Sequence, residues 1–321
     1  MSVFTTVDTV QLDEFLERYL LGRCRGLRPI AAGVTNTNYY LETDAGSFVL
    51  TLYEHHSDDE LDYILGLQQH LAARSVHCSF PVVDRRGELY SNLNRRPAAI
   101  IHQLAGDVVD TPSREHCQVI ATELARFHLA GQNFDAIRPN PRGLDWLVAA
   151  RDMLDSELSA DDDRLIDACL QDFRGADLHD LPHGAIHADL FHDNALFDGE
   201  RLGGIIDFDY ACSDLFVFDI AVLLNDWCVD GIGELDPELV AAVIEAYQRE
   251  RSLERRELEA LPLLLRIAAL RFWLSRLYDK TFPLSGELTY LKSPEDFRRQ
   301  LELRSESADA LSDLVLPHRI G

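Results

Sequence analysis

His187-Ala188-Asp189-Leu190-Phe191-His192-Asp193-Asn194, followed by Ile205-Ile206-Asp207-Phe208-Asp209, is the stretch on which the reading of this chain turns. Asp189 stands five residues before Asn194, and Asp207 follows Asp189 by eighteen. Between them, 195–198 and 203–207 read as extended and flank Asp198-Gly199-Glu200. A short hairpin is therefore expected, and it returns Asp207 to the side of the loop that carries Asp189 and Asn194. Phosphoryl transfer needs a carboxylate to orient the attacking hydroxyl, oxygen ligands for Mg²⁺, and a scaffold that holds donor and acceptor in line. Asp189 suits the first role, and Asn194 with Asp207 the second. An Asp of ordinary pKa, about 3.9, cannot strip an alcohol early, so Asp189 orients the hydroxyl and takes its proton late. An oxygen-only donor set favours Mg²⁺ over Zn²⁺.

The same residues admit two other readings. His187, Asp189 and Asp193 could simply pin a loop through local hydrogen bonds, as Asp and Asn do in turns. The apolar-then-acidic Ile205-Ile206-Asp207 beyond a hairpin argues against that. A metal hydrolase could use His183, His187, Asp189 and His192, but this leaves Asn194 and Asp207 without a role. His183 and His187 stand four apart, but no helix is expected over them.

Outward from the motif, the two halves of the chain differ in period. Leu12, Phe15, Leu16, Tyr19 and Leu20 recur at helical spacing and stop at Gly22. Strand-like runs at 28–32, 37–43 and 47–53 follow, with Asp44-Ala45-Gly46 as a tight turn. A helix at 58–74 interrupts before strands near 80–84, 87–91 and 97–103. After Gly106 apolar residues recur three or four apart over 112–131, 144–158, 162–173, 215–229, 236–251, 254–280 and 293–313. The fold class is α+β in two lobes, 1–104 small and strand-rich, 105–321 larger and mainly helical. Leu104-Ala105-Gly106-Asp107 marks the boundary, with the glycine as a hinge.

The 321 residues, 46% hydrophobic and 26% charged, suit two ordinary globular domains. A formal charge of -25 speaks against a nucleic-acid backbone as partner, since that needs clustered Lys and Arg. Only Lys280 and Lys292 are lysines, so no lysine precedes position 280. Six scattered cysteines form no C-x-x-C pair, which fits a reducing cytoplasm and not a zinc ribbon. Neither an export signal nor a run of about 18 apolar residues is visible, so no membrane role is expected.

At these residues the chain resembles the aminoglycoside-phosphotransferase-like kinases, a branch of the protein-kinase-like fold whose catalytic loop reads H-x-D-x-x-x-x-N. Three further blocks look closest to the bacterial homoserine kinases of that branch. They are Gly33-Val34-Thr35-Asn36-Thr37-Asn38-Tyr39 with Phe48-Val49-Leu50-Thr51-Leu52-Tyr53-Glu54, Gly184-Ala185-Ile186 leading into the loop, and Ala269-Leu270-Arg271-Phe272-Trp273-Leu274-Ser275-Arg276-Leu277-Tyr278-Asp279. The resemblance implies ATP-dependent phosphorylation of the side-chain hydroxyl of L-homoserine, a step toward threonine. By motif, Asp189 takes the catalytic-base position, and Asn194 and Asp207 the metal positions. ATP would meet the Gly33–Asn36 loop and the backbone of His102 and Leu104, in a nucleotide-binding lobe at 1–104. The catalytic and substrate-binding lobe would be 105–321. Asp219 matches a buried acid that braces the catalytic loop.

Homoserine carries an ammonium and a carboxylate, so an acid and a cation are needed near Asp189. Asn225, Asp226, Trp227, Arg271, Trp273 and Arg276 are the candidates, with Asp226 and Arg271 first; His128 is expected to pack between helices. Two departures stand out. The strand lysine that grips phosphates in protein kinases is replaced within Val49-Leu50-Thr51-Leu52, and Glu60 then has no partner on that strand. The glycine of D-F-G is Asp209. An alternative is a kinase of the same fold for choline, a sugar amine or an aminoglycoside; the acidic surface suits the last. The missing lysine also admits a nucleotide-binding pseudokinase, against which the intact Asp189, Asn194 and Asp207 speak.

Overall fold

The computed structural model describes residues 5–30, 36–283, 293–307 and 311. They form two compact units that divide between Ala105 and Gly106. Gly106 has φ +104°, and a Cβ there would lie 2.7 Å from the Phe197 carbonyl carbon, so only glycine fits at this point.

The first unit is an antiparallel sheet of β1 (Cys24–Pro29), β2 (Thr37–Thr43), β3 (Gly46–Leu52), β4 (Ser91–Leu93) and β5 (Arg96–His102), in the order β1-β2-β3-β5-β4. Two helices cover it, α1 (Thr9–Leu16) and α2 (Asp58–Ala72). Side chains alternate across a strand, so β5 sends Ala98 and Ile100 into a cluster with Leu12, Phe15, Leu41, Phe48 and Leu50. Ala99 and Ile101 face the other way, against Leu61 and Leu65 of α2. Each fully buried Leu or Ile there contributes roughly 1.5–3 kcal/mol.

Two expected strands are displaced. The run at 80–84 contributes a single bridge, Pro81 to Ile101, because the proline has no N–H to donate and Asp84 turns the chain by accepting the Arg86 and Glu88 amides. The run at 87–91 is loop up to Ser91, where β4 begins. Glu60 finds its partner in Ser57, whose N–H and hydroxyl donate to it in a capping box. Thr51, at the position of the missing lysine, is buried and donates its hydroxyl to Asn38 Oδ1 across β2 at 2.7 Å.

The second unit is mainly helical: α3 (Arg114–Gly131), α4 (Leu144–Met153), α5 (Ala160–Gly175), α6 (Phe216–Trp227), α7 (Pro237–Glu250), α8 (Arg255–Thr281) and α9 (Pro294–Glu306). The expected helix at 144–158 stops at Met153 and is followed by one 3-10 turn, Asp155–Glu157. The end of the run at 293–313 lies outside the described residues, apart from Leu311.

Five short strands interrupt the helices. β6 (Asp107–Val108) pairs with β8 (Ala195–Asp198), which pairs with β9 (Arg201–Ile205), while β7 (His183–Ile186) pairs with β10 (Cys212–Leu215). The β8–β9 hairpin was expected, but β6, β7 and β10 were not. At two to four residues they are too short to show a period. β7 also carries Gly184, where a Cβ would lie 2.7 Å from the Phe216 ring.

Candidate active site

The loop after β7 is built by the hairpin that follows it. Ala195 faces Ile205 in the β8–β9 ladder, and the Ile206 amide donates to the Asn194 carbonyl at 3.0 Å. Asp207, exposed, follows directly and so emerges beside Asn194. Asn194 is buried and donates Nδ2 to the Asp189 carbonyl at 2.8 Å and to Asp189 Oδ2 at 3.2 Å. That network assigns the amide orientation and turns Asn194 Oδ1 away from Asp189. Asp189, Asn194 and Asp207 are thus brought together on one turn and one strand end. Ala188 and Asp207 both have φ +62°, left-handed backbone at non-glycine residues on either side of the turn.

Beneath the loop lies a chain of buried polar groups. Asp219, fully buried on α6, accepts the His187 amide at 2.8 Å and the Ala188 amide at 2.7 Å. Although burial pushes the Asp219 pKa up, its hydrogen bonds with His128 and with the His187 amide outweigh it and hold the carboxyl below the usual range. Asp219 is therefore ionised, and His128 Nε2 must donate to it, at 3.1 Å. His128 Nδ1 then accepts from the Tyr247 hydroxyl at 2.7 Å. Arg251 donates to both Tyr247 Oη, at 3.2 Å, and Glu257, at 2.9 Å. Burial lowers the His128 pKa, which keeps the ring neutral and its two nitrogens distinct.

His187 is also fully buried and spends both ring nitrogens on the loop. Nδ1 accepts the Asp189 amide at 3.3 Å, and Nε2 donates to the Ile206 carbonyl at 3.1 Å. It has no nitrogen left for a metal, which removes the hydrolase reading.

At Asp189 itself, Arg271 of α8 is 3% exposed and donates to Oδ1 at 3.3 Å. Its Cζ lies 4.5 Å from the centre of the Tyr210 ring. Asp226 is tied to the loop: its Oδ2 accepts the His192 amide and pairs with His192 Nδ1, both at 2.7 Å. The other candidates are mostly architectural. Trp227 donates its indole N–H to the Leu190 carbonyl at 3.0 Å, Asn225 donates to the Leu265 carbonyl at 2.8 Å, and Trp273 is 2% exposed in the core. Arg276 donates to the Ser293 carbonyl at 3.2 Å and stacks on Phe297.

Sequence reasoning passed over Arg142 and Tyr210. Arg142 precedes α4 in a loop with no period to reveal it; its only sequence signal is Trp146 four residues on, over which its guanidinium lies at 4.1 Å. A cavity of about 550 Å³ borders Arg142, Leu147, Phe173, Asp214 and Phe218 but none of Asp189, Asn194 or Asp207, so it is not the reacting site.

Of the residues expected to meet ATP, Gly33 lies outside the described residues. Asn36 is buried just before β2. His102 ends β5 with its ring 4.3 Å from Phe80, and its N–H donates to the Phe80 carbonyl at 3.0 Å. Leu104 follows at the end of this unit.

An antiparallel-sheet unit, a mainly helical unit and a loop of the form H-x-D-x-x-x-x-N before a hairpin and a second Asp define a kinase-like phosphotransferase. The chain belongs to the phosphotransferase enzyme family, which matches residues 26–258. It is 47% identical over 302 residues to a homoserine kinase of Methylobacillus flagellatus, covering 94% of this chain and 95% of that one. A homoserine kinase of Methylobacterium radiotolerans is 39% identical over 322 residues, 99% of this chain and 100% of its relative. Among solved structures, an amicoumacin kinase in complex with AMP-PNP, Ca²⁺ and its antibiotic superposes with a TM-score of 0.71 at 17% identity, covering 94% of this chain and 93% of that one. At that identity the likeness speaks for the fold.

Proposed function

We propose that this protein transfers the γ-phosphoryl group of ATP to the side-chain hydroxyl of L-homoserine, giving O-phospho-L-homoserine and ADP. The observation that carries the reading is the similarity, 47% identity across 94% of the chain, to a homoserine kinase. The site has the groups this reaction needs. The acceptor hydroxyl binds against Asp189, and its oxygen attacks the γ-phosphorus. The bond to the β,γ-bridging oxygen breaks, ADP leaves, and the hydroxyl proton passes to Asp189 as the new bond forms. Asn194 and Arg271, each bonded to Asp189, hold the carboxylate in one orientation.

The donor set fits Mg²⁺: an exposed carboxylate on Asp207 and an amide oxygen on Asn194 turned away from Asp189, both hard oxygen ligands. Bound there, the ion would neutralise charge on the phosphates. Gly33, Asn36 and the backbone of His102 and Leu104 are proposed to meet the nucleotide. With the His102 N–H already given to Phe80, its carbonyl is the group available to adenine. Asp219 acts as the brace of the catalytic loop. Among the described residues no helix is long and apolar enough to cross a membrane, and the cytoplasm, where ATP is made, is the proposed place of action.

The test is ADP release by purified protein offered MgATP and one acceptor at a time: L-homoserine, choline, ethanolamine or an aminoglycoside. L-homoserine should give the highest kcat/KM. Turnover confined to another amine, or none with any, would sink the proposal.

A further inference from the structure

Homoserine differs from other hydroxylated amines by its carboxylate, so a cation must tell it apart. Arg271 and Arg276 were the candidates in sequence, and the structure commits both. Arg271 is buried against Asp189, so its charge already has a carboxylate. Arg276 donates to the Ser293 carbonyl with its face on Phe297, 4.2 Å from the ring centre. We infer that Arg142 is the specificity-determining residue of this kinase, and that its guanidinium binds the α-carboxylate of the acceptor.

Three observations support this. The first is availability. Arg142 is half-buried, and among the described residues its guanidinium is ion-paired to no carboxylate. Its Cζ lies 4.1 Å from the centre of the Trp146 ring and 5.7 Å from that of Tyr210, whose phenol oxygen accepts from it and leaves further N–H groups over. Stacking uses the face of a guanidinium and leaves its N–H edge in the plane, where a carboxylate can accept two parallel hydrogen bonds.

The second is distance. The centre of the Tyr210 ring has Arg271 Cζ at 4.5 Å and Arg142 Cζ at 5.7 Å, so Arg142 and the guanidinium that touches Asp189 border the same ring. Extended homoserine spans roughly 5 Å from hydroxyl oxygen to carboxylate carbon. With the hydroxyl roughly 3 Å from Asp189, as a near-attack geometry requires, a molecule of that length can extend past Arg271 to the ring that Arg142 also borders. Burial raises the Tyr210 pKa, so the phenol stays neutral and does not repel the carboxylate. Burial raises the Asp279 pKa against the pull of both Arg142 and Arg271, so a carboxyl lies near these two cations for the acceptor's ammonium.

The third is preorganisation. The Arg142 amide donates to Asn140 Oδ1 at 2.8 Å, and Asn140 Nδ2 donates to Asp214 Oδ2 at 2.7 Å. Arg138 donates to the carbonyls of Asp209 and Ala211, both at 2.8 Å. The segment bearing Arg142 is thereby fastened to the segment that carries Asp207 and Tyr210, so specificity residue and reacting groups share one frame.

This inference rests on homoserine being the acceptor, and its test separates the two. Wild type, Arg142→Ala and Arg142→Lys are assayed with saturating MgATP on L-homoserine and on 3-aminopropan-1-ol, which is homoserine without its carboxylate. For Arg142→Ala, the KM for homoserine should rise on the order of 100-fold with kcat nearly unchanged, as loss of one partner of a hydrogen-bonded charge pair predicts. The kcat/KM for 3-aminopropan-1-ol should not fall. Arg142→Lys keeps the charge and loses the fork, so it should lie between, and it carries the test if the alanine variant does not fold. An unchanged homoserine KM, or equal losses with both acceptors, overturns the role of Arg142 and leaves the substrate standing. Wild type that ignores homoserine overturns the substrate and this inference with it.

Discussion

Two clusters of polar side chains meet at the catalytic loop, one behind it and one in front. Behind it, the run Glu257, Arg251, Tyr247, His128 and Asp219 is buried end to end, and each member bonds to the next until Asp219 closes the run on two loop amides. In front, Asp189 is 15% exposed in its side chain, Asp207 is exposed and Arg142 is half-buried. Residue type does not distinguish the two, since both hold carboxylates and arginines. A buried polar network is stable only when every group in it is satisfied, so the rear cluster can fix a loop but has nothing left to offer a ligand. The front cluster keeps contact with solvent, and that is where chemistry can take place.

Substitutions should separate the clusters by what they damage. The largest effect belongs to the front. Asp189→Asn should lower kcat by roughly 10²–10⁴-fold with MgATP affinity within a few-fold, checked by steady-state rates and nucleotide titration; near-normal turnover would refute the base assignment. In the rear, Asp219→Ala leaves two amides and a histidine N–H buried without an acceptor. Unfolding free energy should fall by about 3–5 kcal/mol, read by denaturant titration. If stability held while only kcat dropped, the distinction between the clusters would be false.

Asp207→Ala, again in front, should weaken Mg²⁺-dependent nucleotide binding by roughly 100-fold or more, since even outer-shell partners of a metal are worth roughly 10–100-fold. Calorimetry with and without Mg²⁺ measures this, and equal affinities would remove Asp207 from the metal. The smallest effect is one of pH. Burial lowers the pKa of both His128 and His187 in the folded chain. In the unfolded chain they titrate near the ordinary value, about 6.5, and there they take up protons first. Stability is therefore full above about pH 6.5 and declines below it, by at most about 1.4 kcal/mol per pH unit for each histidine. Denaturation at pH 7.5 and 5.5 should show the loss, and a flat profile would mean that the rear cluster accepts protons.

The reacting face was more legible in the sequence than its support. Asp189, Asn194 and Asp207 are set by local spacing around one hairpin, and spacing is what a sequence displays. The change from period two to helical period at Gly106 is legible in the same way. The rear cluster joins residues far apart in the chain, such as Glu257 and His128, and no local pattern announces such a meeting. His128 was expected to pack between helices, and it does so with both nitrogens engaged. Asp226 shows a limit of another kind: its bond to His192 could not be read from the sequence, because a carboxylate at a helix end looks the same whichever partner it finds. β7 and β10 escaped notice because four residues are too few to establish alternation.

The left-handed backbone at Ala188 and Asp207 bears on anyone who sets out to make a heat-resistant form of this enzyme. For an L-residue that conformation costs about 1–2 kcal/mol relative to its ordinary regions, and glycine would relax it. A search for stabilising changes would therefore single out both positions, and they deserve opposite treatment. Ala188 contributes only a methyl group, so Ala188→Gly changes little chemistry. Asp207→Gly would relax the same backbone and discard a carboxylate, giving a sturdier protein that holds its nucleotide poorly.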